Sequence, residues 1–286
     1  MEKIFEILQS LLVLILMIFG GGDSDAAVTP PPLPEGSCLQ IHYIDVGQAD
    51  AALILCDGEA MLIDGGNKSD SSLLYSYLRD HDIPHLQYVV GTHAHEDHIG
   101  GLSGALHYAT ADTVLCPVTE FDSETFRDFA KTVAGQGLSV TVPEAGDSFS
   151  LGAATVTILH CDPDNENPNN TGIVLRVDYG ETSFLFTGDA EREVEERMLD
   201  SGRNVSATVL KVGHHGSETS TSYRFLYEVQ PQYAVISVGA DNSYGHPHDA
   251  VTSRLRDSDV TVFRTDEQGD IICTSNGKTV TFTTEK

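Results

Sequence analysis

Between positions 93 and 98 the chain places His93, His95, Asp97 and His98, inside the stretch Gly91-Thr92-His93-Ala94-His95-Glu96-Asp97-His98-Ile99-Gly100-Gly101. Imidazole nitrogens and carboxylate oxygens are the side-chain donors that hold a divalent ion such as zinc or manganese. On a regular helix His93 and His95 would face different sides, because residues two apart do not share a face. The cluster converges only in a loop. An apolar run, Leu86-Gln87-Tyr88-Val89-Val90, reads as the buried strand that delivers it, and a helix is expected to begin after it, over Ile99 to Tyr108. A solvated His-rich surface loop is the alternative, but it gives no reason for the cluster to sit between an apolar strand and a Gly-Gly turn.

Other groups capable of chemistry recur at the ends of strand-like runs. Asp64 closes Ala60-Met61-Leu62-Ile63. It is placed either to fix the tautomer of a ligand histidine or simply to make a turn. Asp189 follows Ser183-Phe184-Leu185-Phe186. A carboxylate at the mouth of a buried strand is costly unless charge-paired, and Asp189 is also placed to cap the next helix. Gly213-His214-His215-Gly216-Ser217 ends the run Ala207 to Val212, and Gly245-His246-Pro247-His248 follows the run Tyr233 to Val238.

The pattern His93-x-His95-x-Asp97-His98 resembles the His-x-His-x-Asp-His signature of the metallo-β-lactamase superfamily. Asp45-Val46-Gly47-Gln48-Ala49-Asp50-Ala51 is similar to the start of its competence-protein-like branch, which includes the nuclease-type domain of a DNA-uptake channel and some extracellular phosphodiesterases. The resemblance covers roughly residues 39 to 284. It implies an α/β fold, an αββα sandwich of two mixed sheets, which agrees with the two runs of strands interleaved with helices. It implies metal ligation by His93, His95, Asp97, His98, Asp189 and His246, with Asp189 bridging two ions and His246 preferred to His248. It further implies that Asp97 or Asp189 orients the attacking water. One of His214 and His215 would complete the metal shell or, protonated, assist the leaving group, and Lys211 and Ser217 would help hold an anionic oxygen.

One position departs from the superfamily pattern. Many members carry a metal-binding histidine where this chain has Asn169-Asn170-Thr171-Gly172. His160 lies further back, and Cys161 beside it is a further candidate ligand. The cofactor expected is one or two divalent ions, Zn2+ or Mn2+, activating water for hydrolysis.

The branch resemblance favours a phosphodiester substrate, DNA or a smaller extracellular phosphoester. Hydrolysis of a lactam, thioester or other carboxylic derivative is the first alternative, and a non-catalytic surface-binding protein with a residual metal site the second. The 43 acidic and 16 basic residues give a formal charge of -27, which excludes a general basic nucleic-acid-binding face. The five cysteines are scattered without a C-x-x-C pair.

The N-terminal region, residues 1–27, contains the apolar run Leu11 to Phe19, short for a bilayer span. It reads as a signal peptide or an N-terminal membrane anchor, and so predicts an extracellular or cell-surface protein. Residues 28–37, with four prolines, read as a stiff linker, and residues 38–286 as the hydrolase domain.

Overall fold

Alternating apolar residues dictate where the strands sit. In Leu39–Tyr43, residues Leu39, Ile41 and Tyr43 are fully buried and share one core, while His42 faces the other way and hydrogen-bonds Tyr77. Such period-two patterning recurs through a computed structural model that describes residues 33–286. The N-terminal apolar run and the first part of the proline segment lie outside the described residues. Among the described residues no helix is long and apolar enough to cross a membrane.

Two mixed sheets result. The eight-stranded sheet runs Val280–Thr284, Ile271–Ser275, Leu39–Tyr43, Ala52–Cys56, Glu59–Ile63, His85–Val90, Thr110–Leu115, Val140–Thr141. It is antiparallel up to Glu59–Ile63 and parallel beyond. The seven-stranded sheet runs from Thr261–Arg264 through Tyr233–Ile236, Val209–Lys211, Thr182–Phe186, Val174–Tyr179 and Ala154–His160 to Ser148–Leu151. The core between the sheets includes Ile41, Ile54 and Met61 of one and Val156, Leu175 and Phe184 of the other. Separate apolar clusters seal each outer face against helices, Leu74, Leu102 and Phe129 on one side and Val194, Phe225 and Leu255 on the other. This is the expected αββα sandwich.

The helices form where local chemistry starts them. The hydroxyl of Ser123 accepts the amide of Phe126 at 3.0 Å, capping Glu124–Gly135. Phe126, Phe129 and Val133 then share the buried face. One expectation shifts near the histidines. A short helix, Glu96–Ile99, precedes the expected one, which spans Leu102–Tyr108. Asp97 and His98 therefore sit on a helical turn rather than in open loop. Two glycines allow the close packing behind it: a Cβ at Gly101 would stand 2.0 Å from the Gly65 carbonyl oxygen, and one at Gly104 would stand 2.0 Å from that of Ser71.

Candidate metal centre

Strand ends and turns from both sheets meet at one edge of the sandwich. The turn after His85–Val90 carries His93, His95, Asp97 and His98. The turn after Thr182–Phe186 carries Asp189, and that after Val209–Lys211 carries His214 and His215. The two adjacent imidazoles would diverge on a continued strand. Instead His214 and His215 both adopt positive φ, near 52°. That backbone is disfavoured for residues with a side chain, and here it turns both rings toward Asp189.

Asp189 is 3% exposed and its two oxygens face two groups of imidazoles. Oδ1 lies 3.2 Å from His98 Nε2 and 3.7 Å from His215 Nε2. Oδ2 lies 3.5 Å from His214 Nε2 and 3.9 Å from His93 Nε2. Asp97 Oδ2 closes the first group, 3.3 Å from His215 Nε2 and 3.9 Å from His98 Nε2. Donor atoms of Asp97, His98, Asp189 and His215 all lie within 4.8 Å of one another. His95 Nδ1 lies 2.9 Å from His93 Nε2.

Each inner histidine is oriented from behind. His98 Nδ1 lies 2.8 Å from Asp64 Oδ2, and Asp64 is itself fixed by the amide and hydroxyl of Thr92 at 2.7 and 2.8 Å. His215 Nδ1 lies 3.1 Å from the carbonyl of Ser237 and 3.1 Å from Asp50 Oδ1. Donation from Nδ1 leaves the Nε2 lone pair of each ring for a cation, as outer hydrogen bonds to ligand histidines do.

The charges are tightly coupled. Burial opposes ionisation of Asp97, but the His98 imidazolium outweighs it and holds that carboxyl down at about 2. Burial likewise disfavours charge on His215, yet Asp189 and Asp50 raise it to about 10. The same contest, with Asp189 and Asp64 winning, holds His98 well above its ordinary value. His93, buried and beside His98, is pushed well below.

The metallo-beta-lactamase superfamily model matches residues 44–240. The chain belongs to this superfamily. It is 30% identical over 251 residues to ComE operon protein 3 of Bacillus subtilis (strain 168), covering 81% of this chain and 32% of that protein. It is 32% identical over 222 residues to Recombination protein 2 of Haemophilus influenzae, covering 76% of this chain and 26% of that one. The chain thus spans a third or less of the length of these curated relatives. The crystal structure of the metallo-beta-lactamase fold protein YhfI from Bacillus subtilis aligns with a TM-score of 0.57 at 14% identity, covering 84% of this chain and 100% of that one, a likeness of fold alone.

Metallo-β-lactamase family membership implies a divalent metal, and the residues fit one. Nε2 of His98, Nε2 of His215 and Oδ1 of Asp189 are buried without hydrogen-bond partners among the described residues. Orphaned buried polar atoms are expensive, and here all three belong to one four-donor set. Their separations of 3.2 and 3.7 Å suit neighbouring donors around an ion with bonds of about 2.0–2.2 Å.

Asp189 stands between both imidazole groups. Of the two roles open to His214 and His215, at the leaving group or in the metal shell, His215 stands with the second, closing the group of four. His246, expected as a ligand, stands outside that group, its ring centroid 6.4 Å from that of His215. It lies on the wall of a cavity of about 320 Å3 together with Gln48, Asn169 and Tyr244. His248 is turned away, its Nδ1 accepting the Glu218 amide at 2.9 Å. Lys211 is not free to hold a substrate oxygen, because it is 4% exposed and its ammonium lies 2.8 Å from Asp50 Oδ2. Ser217 is buried and pairs with Thr219 at 3.1 Å. His160 meets the Asn170 carbonyl at 3.0 Å. Asn170 is tied to Glu191 and Glu193, whereas Asn169 reaches the cavity. Cys161 packs against the inter-sheet core, and burial pushes its thiol up to about 12.

Sequence reasoning missed Asp50 and Gln48, which read as turn residues. The Gln48 carbonyl oxygen accepts the Gly239 amide at 3.1 Å, so its NH2 faces His246 Nδ1 at 3.3 Å. Burial and the neighbouring imidazoles of His214 and His215 push His246 down to about 4. At neutral pH it is therefore an uncharged ring whose Nε2 carries the proton.

Proposed function

We propose that this metallo-hydrolase cleaves phosphodiesters. The observation that supports this reading over acyl hydrolysis is the wall of the cavity beside Asp189. Among the described residues it is built from imidazoles, carboxylates, the amides of Gln48 and Asn169 and the phenol of Tyr244, with no aliphatic side chain to seat an acyl group. The similarity to Recombination protein 2, whose name points to DNA, agrees with it.

Asp97, His98, Asp189 and His215 would hold one ion. His93 and His214, facing the second oxygen of Asp189, with His95 beside His93, would serve another, Zn2+ or Mn2+ by donor type. Bound there, divalent cations supply positive charge and Lewis acidity to the reacting water and phosphoryl group. The chain's own residues do the rest. Asp64 and the Ser237 carbonyl fix the tautomers and directions of His98 and His215, Asp50 sets the charge beside His215, and Asp189 ties both donor groups to one point. His246, neutral and with Nε2–H available in the cavity, donates a hydrogen bond to the oxygen on which charge develops.

The test is turnover of bis(p-nitrophenyl) phosphate, nitrocefin and an aryl thioester with added Mn2+ or Zn2+, for the native chain and Asp189→Ala. Metal-dependent phosphodiester cleavage lost in Asp189→Ala supports the reading. An inert phosphodiester beside an active lactam or thioester overturns it.

A further inference from the structure

We infer that the cavity takes a small phosphoester bearing one planar ring, held against Tyr244, and not the interior of a polynucleotide chain; this rests on the phosphoester reading above. Three observations carry it. The first is size: about 320 Å3 lies at the low end of the range for small-molecule sites. The second is charge. Among the described residues lining this cavity none is a lysine or arginine, and the nearby Lys211 is consumed by Asp50. A strand threaded through the site presents flanking phosphates, which nucleic-acid-binding surfaces meet with cationic side chains. Here they would meet Glu96 and a chain of net charge -27.

The third observation is the aromatic face. Tyr244 is 68% exposed, yet it lines the cavity and lies nearly parallel to His246, with ring centroids 5.6 Å apart at 25°. Its loop is closed by one side chain. Asn242 Oδ1 accepts the amides of Tyr244 and His246 at 3.1 and 3.0 Å, and Asn242 Nδ2 donates to the carbonyls of Gly239 and His246 at 2.9 and 2.6 Å. Gln48 anchors the same loop at Gly239 and His246. An exposed tyrosine on a loop fixed this firmly is a preorganised stacking surface, and a planar heterocycle is the group that uses it.

The experiment uses the Mn2+-loaded protein. Inhibition of bis(p-nitrophenyl) phosphate turnover is measured with adenosine 5′-monophosphate and with ribose 5-phosphate, in native chain, Tyr244→Ala and Tyr244→Phe. Tyr244→Ala is expected to weaken the nucleotide on the order of 5- to 150-fold, the range for loss of one base–aromatic stack, while ribose 5-phosphate is unaffected and Tyr244→Phe behaves as native. In parallel, a dinucleotide is expected to turn over with higher kcat/KM than circular single-stranded DNA, which has no ends. Equal weakening of both inhibitors, or circular DNA cleaved as efficiently as the dinucleotide, overturns this inference and leaves the phosphoester reading standing. Failure of every phosphoester to turn over removes both.

Discussion

The ammonium of Lys211 lies 2.8 Å from the carboxylate of Asp50, with both side chains almost wholly buried. Asp50 also faces His215 Nδ1 at 3.1 Å, so one ion pair inside the fold sets the charge beside an imidazole of the candidate metal centre. Burial opposes the charge on Asp50, but Lys211 and His215 hold its carboxyl far below the usual range.

Removing one partner of a buried pair strands the other. Asp50→Asn and Lys211→Met are each expected to destabilise the fold by about 3–5 kcal/mol, and the double variant by less than the sum of the two. Chemical denaturation of the four proteins measures this. Additive losses would show that the pair is not coupled.

The outer hydrogen bond to His98 makes a separate prediction. Asp64→Asn keeps the size of the side chain but loses the charge that meets His98 Nδ1 at 2.8 Å. Metal affinity is expected to fall about 10- to 100-fold, as for other lost partners of ligand histidines. Calorimetric titration with Zn2+ or Mn2+ checks it, and unchanged affinity would remove Asp64 from the account.

Protons hold the metal-free site together, and this fixes the sign of its pH dependence. His215 binds its proton more tightly folded, with a value of about 10, than unfolded, where it is about 6.5. Its contribution to stability is fully present below about pH 6.5 and is lost as pH rises through about 10. The Tm of the chelator-treated protein should therefore decline between those values. A divalent cation must displace these protons, so metal affinity should rise across the same interval. A Tm that climbs or stays level from neutral to pH 10 would contradict this.

The histidine signature was legible because its donors are local: one turn carries His93, His95, Asp97 and His98. Asp189 was legible as a carboxylate ending a buried hairpin. The sandwich was legible from strand alternation, although Ser148–Leu151, an edge strand with alternating serines, gave no apolar signal. Asp50 was not legible. Its partner Lys211 is 161 residues away, and only the meeting of the two sheets joins them. Which of His214 and His215 joins the buried donor group was not legible for a similar reason, since spacing does not reveal that both adopt positive φ and turn inward together.

Gly101 tests how far packing controls the site. A Cβ there would stand 2.0 Å from the backbone oxygen of Gly65, next to Asp64. Gly101→Ala is expected to destabilise by about 1–3 kcal/mol or more, as overpacking does, and to weaken metal binding by moving Asp64 relative to His98. Denaturation and metal titration together check this; native values in both would refute it.

The central claim is that Asp97, His98, Asp189 and His215 grip a divalent cation. Anomalous diffraction from crystals grown with Mn2+ tests it directly. The account predicts a peak about 2.0–2.3 Å from His98 Nε2, His215 Nε2 and Asp189 Oδ1. A cation held elsewhere, with these four side chains left uncoordinated, would contradict it.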